Sequence, residues 1–595
     1  MASRAERVAL PAGVAATLVA LAAVFYVPVG SVLAEAVVVA GRPTLGPILA
    51  VLADPFYTGV GHHLVVDPLG VPAGVVDWVT AGFPPVRLGL FGFTAYQAAL
   101  STVASVLLGL PGAYVLARFE FRGRETLRSL TIVPFVLPAI MVAVGFVAMF
   151  GRTGLFNDLL GLVGLGPISV LYSLEAIVLA HAFYNAPLVT RLVATAWESV
   201  DRRQVESARA MGASPLAAFR DIVVPTLRPA LLTAALLTFV FTFLSFPIVL
   251  KLGGLQHATV EVWVYDRVQA LDLTTAATLA TVETVLSLGL TYLYLRYEAR
   301  QRGAGGAGRS LARKPLAVGW RTLTSPVRLA VLAYGLVVAV VFLGPLASLV
   351  VESVTRPDGT LTTAYYEFLL AQQASSAVGT ARPLPAIVNS LVFGAGTLLL
   401  AVPMGVVVAL VATRGGRGSR LAEALLSAPL AVSGIVVGLG LLQTAVFGTE
   451  VLGYRLTVAG PVAIVFAHAA AAYPFVTRNV APALGGLDVR FRDAARSLGA
   501  SRLRALVDVE LPLVAAAVLA GAAFAFAISV GEFDSTVLLA EGVDSYTMPV
   551  ALDRYVGNRS IGPSLGPATA MGTVLLAITG LSFVAIDRLG GRWAP

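Results

Sequence analysis

The chain has 595 residues, of which 57% are hydrophobic and 12% charged, with a formal net charge of +8 and a mean hydropathy of +0.85. A water-facing surface carries roughly a quarter of its residues as charges, so these proportions exclude a string of soluble domains and leave a polytopic α-helical membrane protein. The absence of cysteine excludes disulfides, thiol catalysis and Cys-ligated metals. The net positive charge is not a nucleic-acid footprint, because the arginines fall in short stretches between apolar runs, the arrangement that orients membrane helices.

Apolar runs long enough to cross a hydrocarbon core of roughly 30 Å predict spans at 8–38, 93–117, 127–150, 168–192, 228–250 and 272–296. A second set follows at 327–352, 387–412, 421–446, 456–477, 513–540 and 565–590. The first run follows Arg4 and Arg7; it is too long for a signal-peptide core and is expected to be a retained span. Arg118, Arg122, Arg124 and Arg128 separate the second and third spans, and Arg202, Arg203, Arg209 and Arg220 separate the fourth and fifth. Alternate loops are therefore basic, which places both termini, these loops and the central linker on the cytoplasmic side.

The segment from Ala40 to Arg87 is the longest insertion between spans and carries His62 and His63. With no further ligand in sight these histidines are read as solvated, and no metal site is assigned. Gly303–Gly308, flanked by basic residues, reads as a flexible tether. It divides the chain into a first half, 1–300, a linker, 301–326, and a second half, 327–595.

The two halves repeat. At a constant offset of 287 residues His181 matches His468, Pro187 matches Pro474, Val189-Thr190-Arg191 matches Val476-Thr477-Arg478, Gly212-Ala213-Ser214 matches Gly499-Ala500-Ser501, and Pro225 matches Pro512. Nearby offsets align Pro111 with Pro403 and Pro134 with Pro429. Six spans per half is an even number, so the halves are expected to be parallel repeats about an axis normal to the membrane. The best-matched block is a basic loop. An acid, a glycine six residues later and a proline thirteen beyond that predict a short helix, a sharp turn and re-entry into the membrane.

Glu206-Ser207-Ala208, Gly212 and Ile222-Val223-Val224-Pro225, together with Asp493-Ala494-Ala495, Gly499 and Val509-Glu510-Leu511-Pro512, resemble the EAA loops of ABC importer permeases. The resemblance covers about 93–297 and 387–590 and implies the type I (MetI-like) fold. It implies that Glu206, Ala208, Gly212, Asp493, Ala495 and Gly499 dock and couple an ATPase, with two ATPase copies and an extracytoplasmic binding protein as partners. The chain departs from the motif at Ser207 and Asp493, so the two docking contacts are expected to differ. Lys251 and Lys314 are the only lysines. Neither follows a glycine as a Walker A lysine must, so ATP is expected to bind the separate subunit and this chain is expected to be no enzyme and to hold no cofactor.

Phe150-Gly151-Arg152-Thr153-Gly154, Leu179–Pro187 and Ser245–Gly254 further resemble the fused permeases for thiamine and, more distantly, ferric iron; sulfate and polyamine importers stand behind these. Glu532 and Asp534 lie in an apolar run, with Ser245 opposite Glu532 at the 287-residue offset. A mid-membrane carboxylate costs about 2.5–3.5 kcal/mol on insertion scales and so tends to face a pathway. These three residues are candidates for lining a cationic substrate's path, against the alternative of hydrated acids at the outer interface. A secondary transporter of six plus six spans is the rival class, but it predicts no special loop after the fourth span of each half.

Overall fold

The computed structural model describes residues 4–39, 41–67, 70–81, 88–131, 137–152, 154–301, 311–316, 325–371, 381–414, 428–451, 453–557 and 565–591. The tether Gly303–Gly308, with Thr153 and Pro134, falls outside them. The predicted spans all correspond to helices. Among the described residues nine helices are long and apolar enough to cross a membrane, from Pro11–Val37 to Gly460–Gly485. A tenth is a bent pair, Arg502–Leu513 with Ala515–Gly531, and the ninth and twelfth predicted spans fall on the shorter apolar helices Gly434–Val446 and Gly566–Ser582. Among the described residues the strands are two- or three-residue pairs, as expected where every backbone group within lipid must be satisfied inside its own helix.

The halves interlock. The helix Pro326–Ser353 opens the second half but packs on Ala139–Phe150 of the first, and Val27–Val37 of the first half packs on Gly434–Leu441 of the second. Close approach is built in: a Cβ on Gly145 would lie 2.7 Å from the Pro345 carbonyl oxygen, and one on Gly440 2.3 Å from that of Pro28. Lys251 and Asp553 form an ion pair between the halves.

Within each half the helix 89–118 or 383–414 packs on 174–198 or 460–485. Thr190 donates to the Gly109 carbonyl at 2.9 Å and Thr477 to that of Gly405 at 3.1 Å. A Cβ on either glycine would press into a valine, Val189 or Val476, at 2.8 and 2.5 Å. This pairing corrects the proline alignment: the equivalent positions are Gly109 and Gly405, so Pro111 and Pro403 lie about one helical turn apart in the two copies. Small residues allow such close helix packing, and prolines are tolerated nearby because neighbouring helices re-satisfy the backbone.

The described stretch of the linker, 311–316, is docked. Lys314–Pro315 pairs in parallel with Phe119–Glu120, Leu316 N–H donates to the Glu120 carbonyl at 3.0 Å, and Arg313 reaches Glu198 at 3.1 Å. Arg124, itself buried, holds the same Glu198 at 2.6 Å. The exit of the tether is thereby fixed to the basic loop between the second and third spans.

Candidate functional site

The duplicated loop folds identically in both halves. Asp201 caps Arg202–Ala210 by accepting from Arg203 N–H, and Asp488 caps Val489–Ser497 through Arg490 N–H. Each helix ends in a Schellman motif. Ala213 N–H bonds the Ala208 carbonyl and Gly212 N–H that of Arg209, at 3.0 and 3.1 Å; Ala500 and Gly499 repeat this on Ala495 and Arg496 at 3.0 Å each. The motif requires a left-handed residue, and the glycines supply it with φ of +93° and +92°.

Ser214 and Ser501 then cap Pro215–Ala218 and Arg502–Ala505. Next comes a single π turn in each copy, Phe219–Val223 and Leu506–Glu510, closed by Val224 N–H on Phe219 and Leu511 N–H on Leu506. The π turns precede Pro225 and Pro512 because a proline ring cannot fit above an ordinary α-helical carbonyl four residues back. Beyond them the copies diverge: the first runs on as one helix to Phe243, whereas the second bends by 77° where Leu511–Leu513 gives way to Ala515–Gly531.

Glu206 and Asp493 are exposed, Ala208 and Ala495 half-buried, and Gly212 and Gly499 exposed at the turn. Glu206 pairs with Arg202 one helical turn back, while Asp493 reaches Arg492 only at 3.9 Å. The expected inequality of the two copies lies in this pairing. Sequence reasoning missed Met211 and Leu498, again 287 residues apart, which stand just before the glycines and are 83% and 90% exposed. A large apolar side chain held into water at the same place in both repeats marks a surface awaiting a partner. Its signal in the sequence was a large apolar residue immediately before the loop glycine in both repeats.

The second candidate group lies where the fifth and eleventh spans stop. Both stop earlier than hydropathy indicates, at Phe243 and Gly531 rather than at 250 and 540. The chain then breaks around Ser245-Phe246 and Glu532-Phe533 before the short helices Pro247–Leu252 and Thr536–Leu539. Phe246 and Phe533, 287 residues apart, stack with ring centroids at 5.8 Å and planes 15° from parallel. Equivalent residues of a two-fold repeat can touch only at its axis, so this buried pair closes the axis between the halves.

Ser245 is half-buried beside that stack. Glu532 is held on all sides. One carboxylate oxygen accepts from Ser535 N–H at 2.7 Å, the other from Thr536 N–H at 3.1 Å, and His468 Nε2 stands 3.1 Å away. His468 Nδ1 lies 2.7 Å from Ser529 Oγ. In the first half Ser245 replaces the acid, and His181, 2.9 Å from Ser101 Oγ, leaves its Nε2 unpartnered. Glu532 is therefore a helix cap and histidine partner, and Asp534, with no hydrogen bond among the described residues, is the more open acid. His62 and His63, expected to be solvated, are half-buried, with ring centroids 4.0 Å apart and planes tilted by 40°, and among the described residues no group of three His, Asp or Glu is arranged to hold a metal.

Residues 105–302 and 401–594 each match the model of the binding-protein-dependent transport system inner membrane component. The chain belongs to this family. It is a permease subunit of an ABC importer and a multi-pass membrane protein, built as two fused MetI-like domains, and it is a transport subunit that works with an ATPase and a binding protein. Its similarity to the thiamine transport system permease protein of Brucella abortus (strain 2308) is 29% identity over 90% of this chain and 94% of the relative. With that of Escherichia coli (strain K12) it is 27% over 87% and 91%. The molybdenum transport system permease protein of Azotobacter vinelandii is 31% identical over 37% of this chain and 96% of its own length.

Proposed function

We propose that this permease carries thiamine into the cytoplasm, driven by two copies of a separate ATPase seated on the loops 201–225 and 488–512. The observation that carries the substrate is coverage. The thiamine permeases align over 87–90% of the chain and so with both fused halves, whereas the molybdenum permease aligns with 37% of it. The docking role rests on the identical capped helix, Schellman turn and exposed apolar knob in each copy. In this reading Glu206, Ala208, Gly212, Asp493, Ala495 and Gly499 form the two docking surfaces. Both termini and the linker 301–326 share their cytoplasmic side, because the arginines cluster there.

An extracytoplasmic binding protein delivers substrate opposite, at the far end of the axis closed by Phe246 and Phe533. ATP, bound by the partner subunits, draws the docked helices together. The interlocked halves then rock about the axis, and the phenylalanine stack parts; the two states are biased by nucleotide on one side and binding protein on the other. Uptake of labelled thiamine, with ferric iron in parallel, by cells deleted for the gene and by complemented cells tests the substrate. Loss and rescue of thiamine uptake alone support it; loss of iron uptake with thiamine uptake unchanged overturns it.

A further inference from the structure

Two further acids are buried in the first half, and neither belongs to the duplicated loops or to the histidine pair; Tyr265, one helical turn from the first of them, packs on Phe246 of the axial stack with ring centroids at 5.2 Å. Glu261 opens the helix Val260–Gln269 and Glu283 sits inside Leu273–Gln301, both in the first half. They are 0% and 1% exposed, and all four of their carboxylate oxygens lack a hydrogen-bond partner. Glu261 faces Glu283 and Ser433, and lies near Asp534 of the second half.

The direction in which Glu283 points follows from its neighbour one turn on. Ser287, on the same helix face, donates to the Ala431 carbonyl at 2.6 Å across the boundary between the halves. Three residues on, Gly434 meets Asp534: a Cβ on Gly434 would lie 2.7 Å from Asp534 Cβ and 3.3 Å from both Asp534 Oδ2 and Glu532 Oε1. Glu261, Glu283 and Asp534 therefore come together along one stretch of the boundary between the halves, and Asp534 directly follows Phe533 of the closed axis. Among the described residues no basic group forms an ion pair with any of these three acids; His468 is engaged by Glu532 instead.

An unpaired buried carboxylate is costly, and the buried pair Glu261 and Glu283, with Asp534 along the same boundary and no cation paired to them, is suited to positive charge. We propose that Glu261, Glu283 and Asp534 form an intramembrane subsite for the positive charge of an organic cation, entered when the Phe246–Phe533 stack parts. The aromatic pair at its mouth suits the same ligand, because ring faces attract cations. The inference rests on the thiamine reading, since the thiazolium ring of thiamine is such a cation.

The test uses the full permease with its ATPase and binding protein in ATP-loaded vesicles, and compares uptake of thiamine with that of its neutral thiophene isostere. Because one binding protein serves every variant, any change in discrimination belongs to the permease. Glu261→Gln/Glu283→Gln is expected to lower the preference for thiamine over the isostere about tenfold, with ATP-driven uptake of the isostere retained. Should that double variant not assemble, Glu283→Asp is read instead; it keeps the charge, shortens the reach and is expected to raise the KM for thiamine alone. Unchanged discrimination in Glu261→Gln/Glu283→Gln, or an unchanged KM in Glu283→Asp, overturns the subsite and leaves the thiamine reading standing. Absence of thiamine uptake by the wild-type complex overturns both.

Discussion

Replacing Gly212 by alanine isolates the backbone demand of the duplicated loop. A Cβ there would meet nothing within 4 Å, so the change adds no clash. What it adds is strain, because φ at Gly212 is +93°, where L side chains pay about 1–2 kcal/mol. That strain falls on two hydrogen bonds, Ala213 to Ala208 and Gly212 to Arg209, which set the angle between the docking helix and the next one. A penalty of about 1–2 kcal/mol lowers the population of the closed turn by roughly 5- to 30-fold. Affinity for the ATPase, measured by titrating it onto detergent-solubilised permease, is expected to fall by that factor while the spans melt as before. Gly580→Ala supplies the control, since it too meets open space but has no positive φ. Wild-type ATPase affinity in Gly212→Ala would refute the argument that the turn geometry carries docking.

Met211→Gln and Leu498→Gln, at side chains 83% and 90% exposed, are expected to weaken the ATPase complex without lowering permease yield, read by co-purification. Gly109→Ala and Gly405→Ala each place a methyl group under 3 Å from a neighbouring helix, at the Ala186 carbonyl oxygen and Val476 Cβ. Overpacking of this kind costs about 1–3 kcal/mol, and a lowered thermal midpoint in both variants is the readout. Lys251→Met leaves Asp553 buried without its partner at the boundary between the halves. Loss of one member of such a pair costs about 3–5 kcal/mol, and Lys251→Met/Asp553→Asn is expected to recover most of the lost midpoint.

Much of this architecture was legible because hydropathy and repeat spacing are local signals. The spans, the 287-residue offset and the loop glycines all reappear in the structure, with Gly212 and Gly499 at matching positive φ. Breaks inside apolar runs were not legible: 228–250 and 513–540 read as continuous because a hydropathy window averages over Ser245-Phe246 and Glu532-Phe533. The register of the second span against the eighth was misread from proline spacing, since helix packing is set by what lies against the neighbour. There Gly109 and Gly405 matter and Pro111 and Pro403 do not. Glu532 stood out as an acid in an apolar run and proved to be tied to His468 and the Thr536–Leu539 helix. Glu283 carried the same signal within the sixth span, but its convergence with Glu261 and Asp534 depends on how the halves pack, which the sequence does not display.

The energy source for transport is what separates an ABC importer from a secondary transporter most directly. Vesicles holding the permease, its ATPase and its binding protein are loaded with ATP or a non-hydrolysable analogue and presented with labelled thiamine, with and without an ion gradient. Accumulation that requires hydrolysable ATP, ignores the gradient and fails in Gly212→Trp/Gly499→Trp is the predicted result. Accumulation that follows the gradient and persists without ATP would contradict the account.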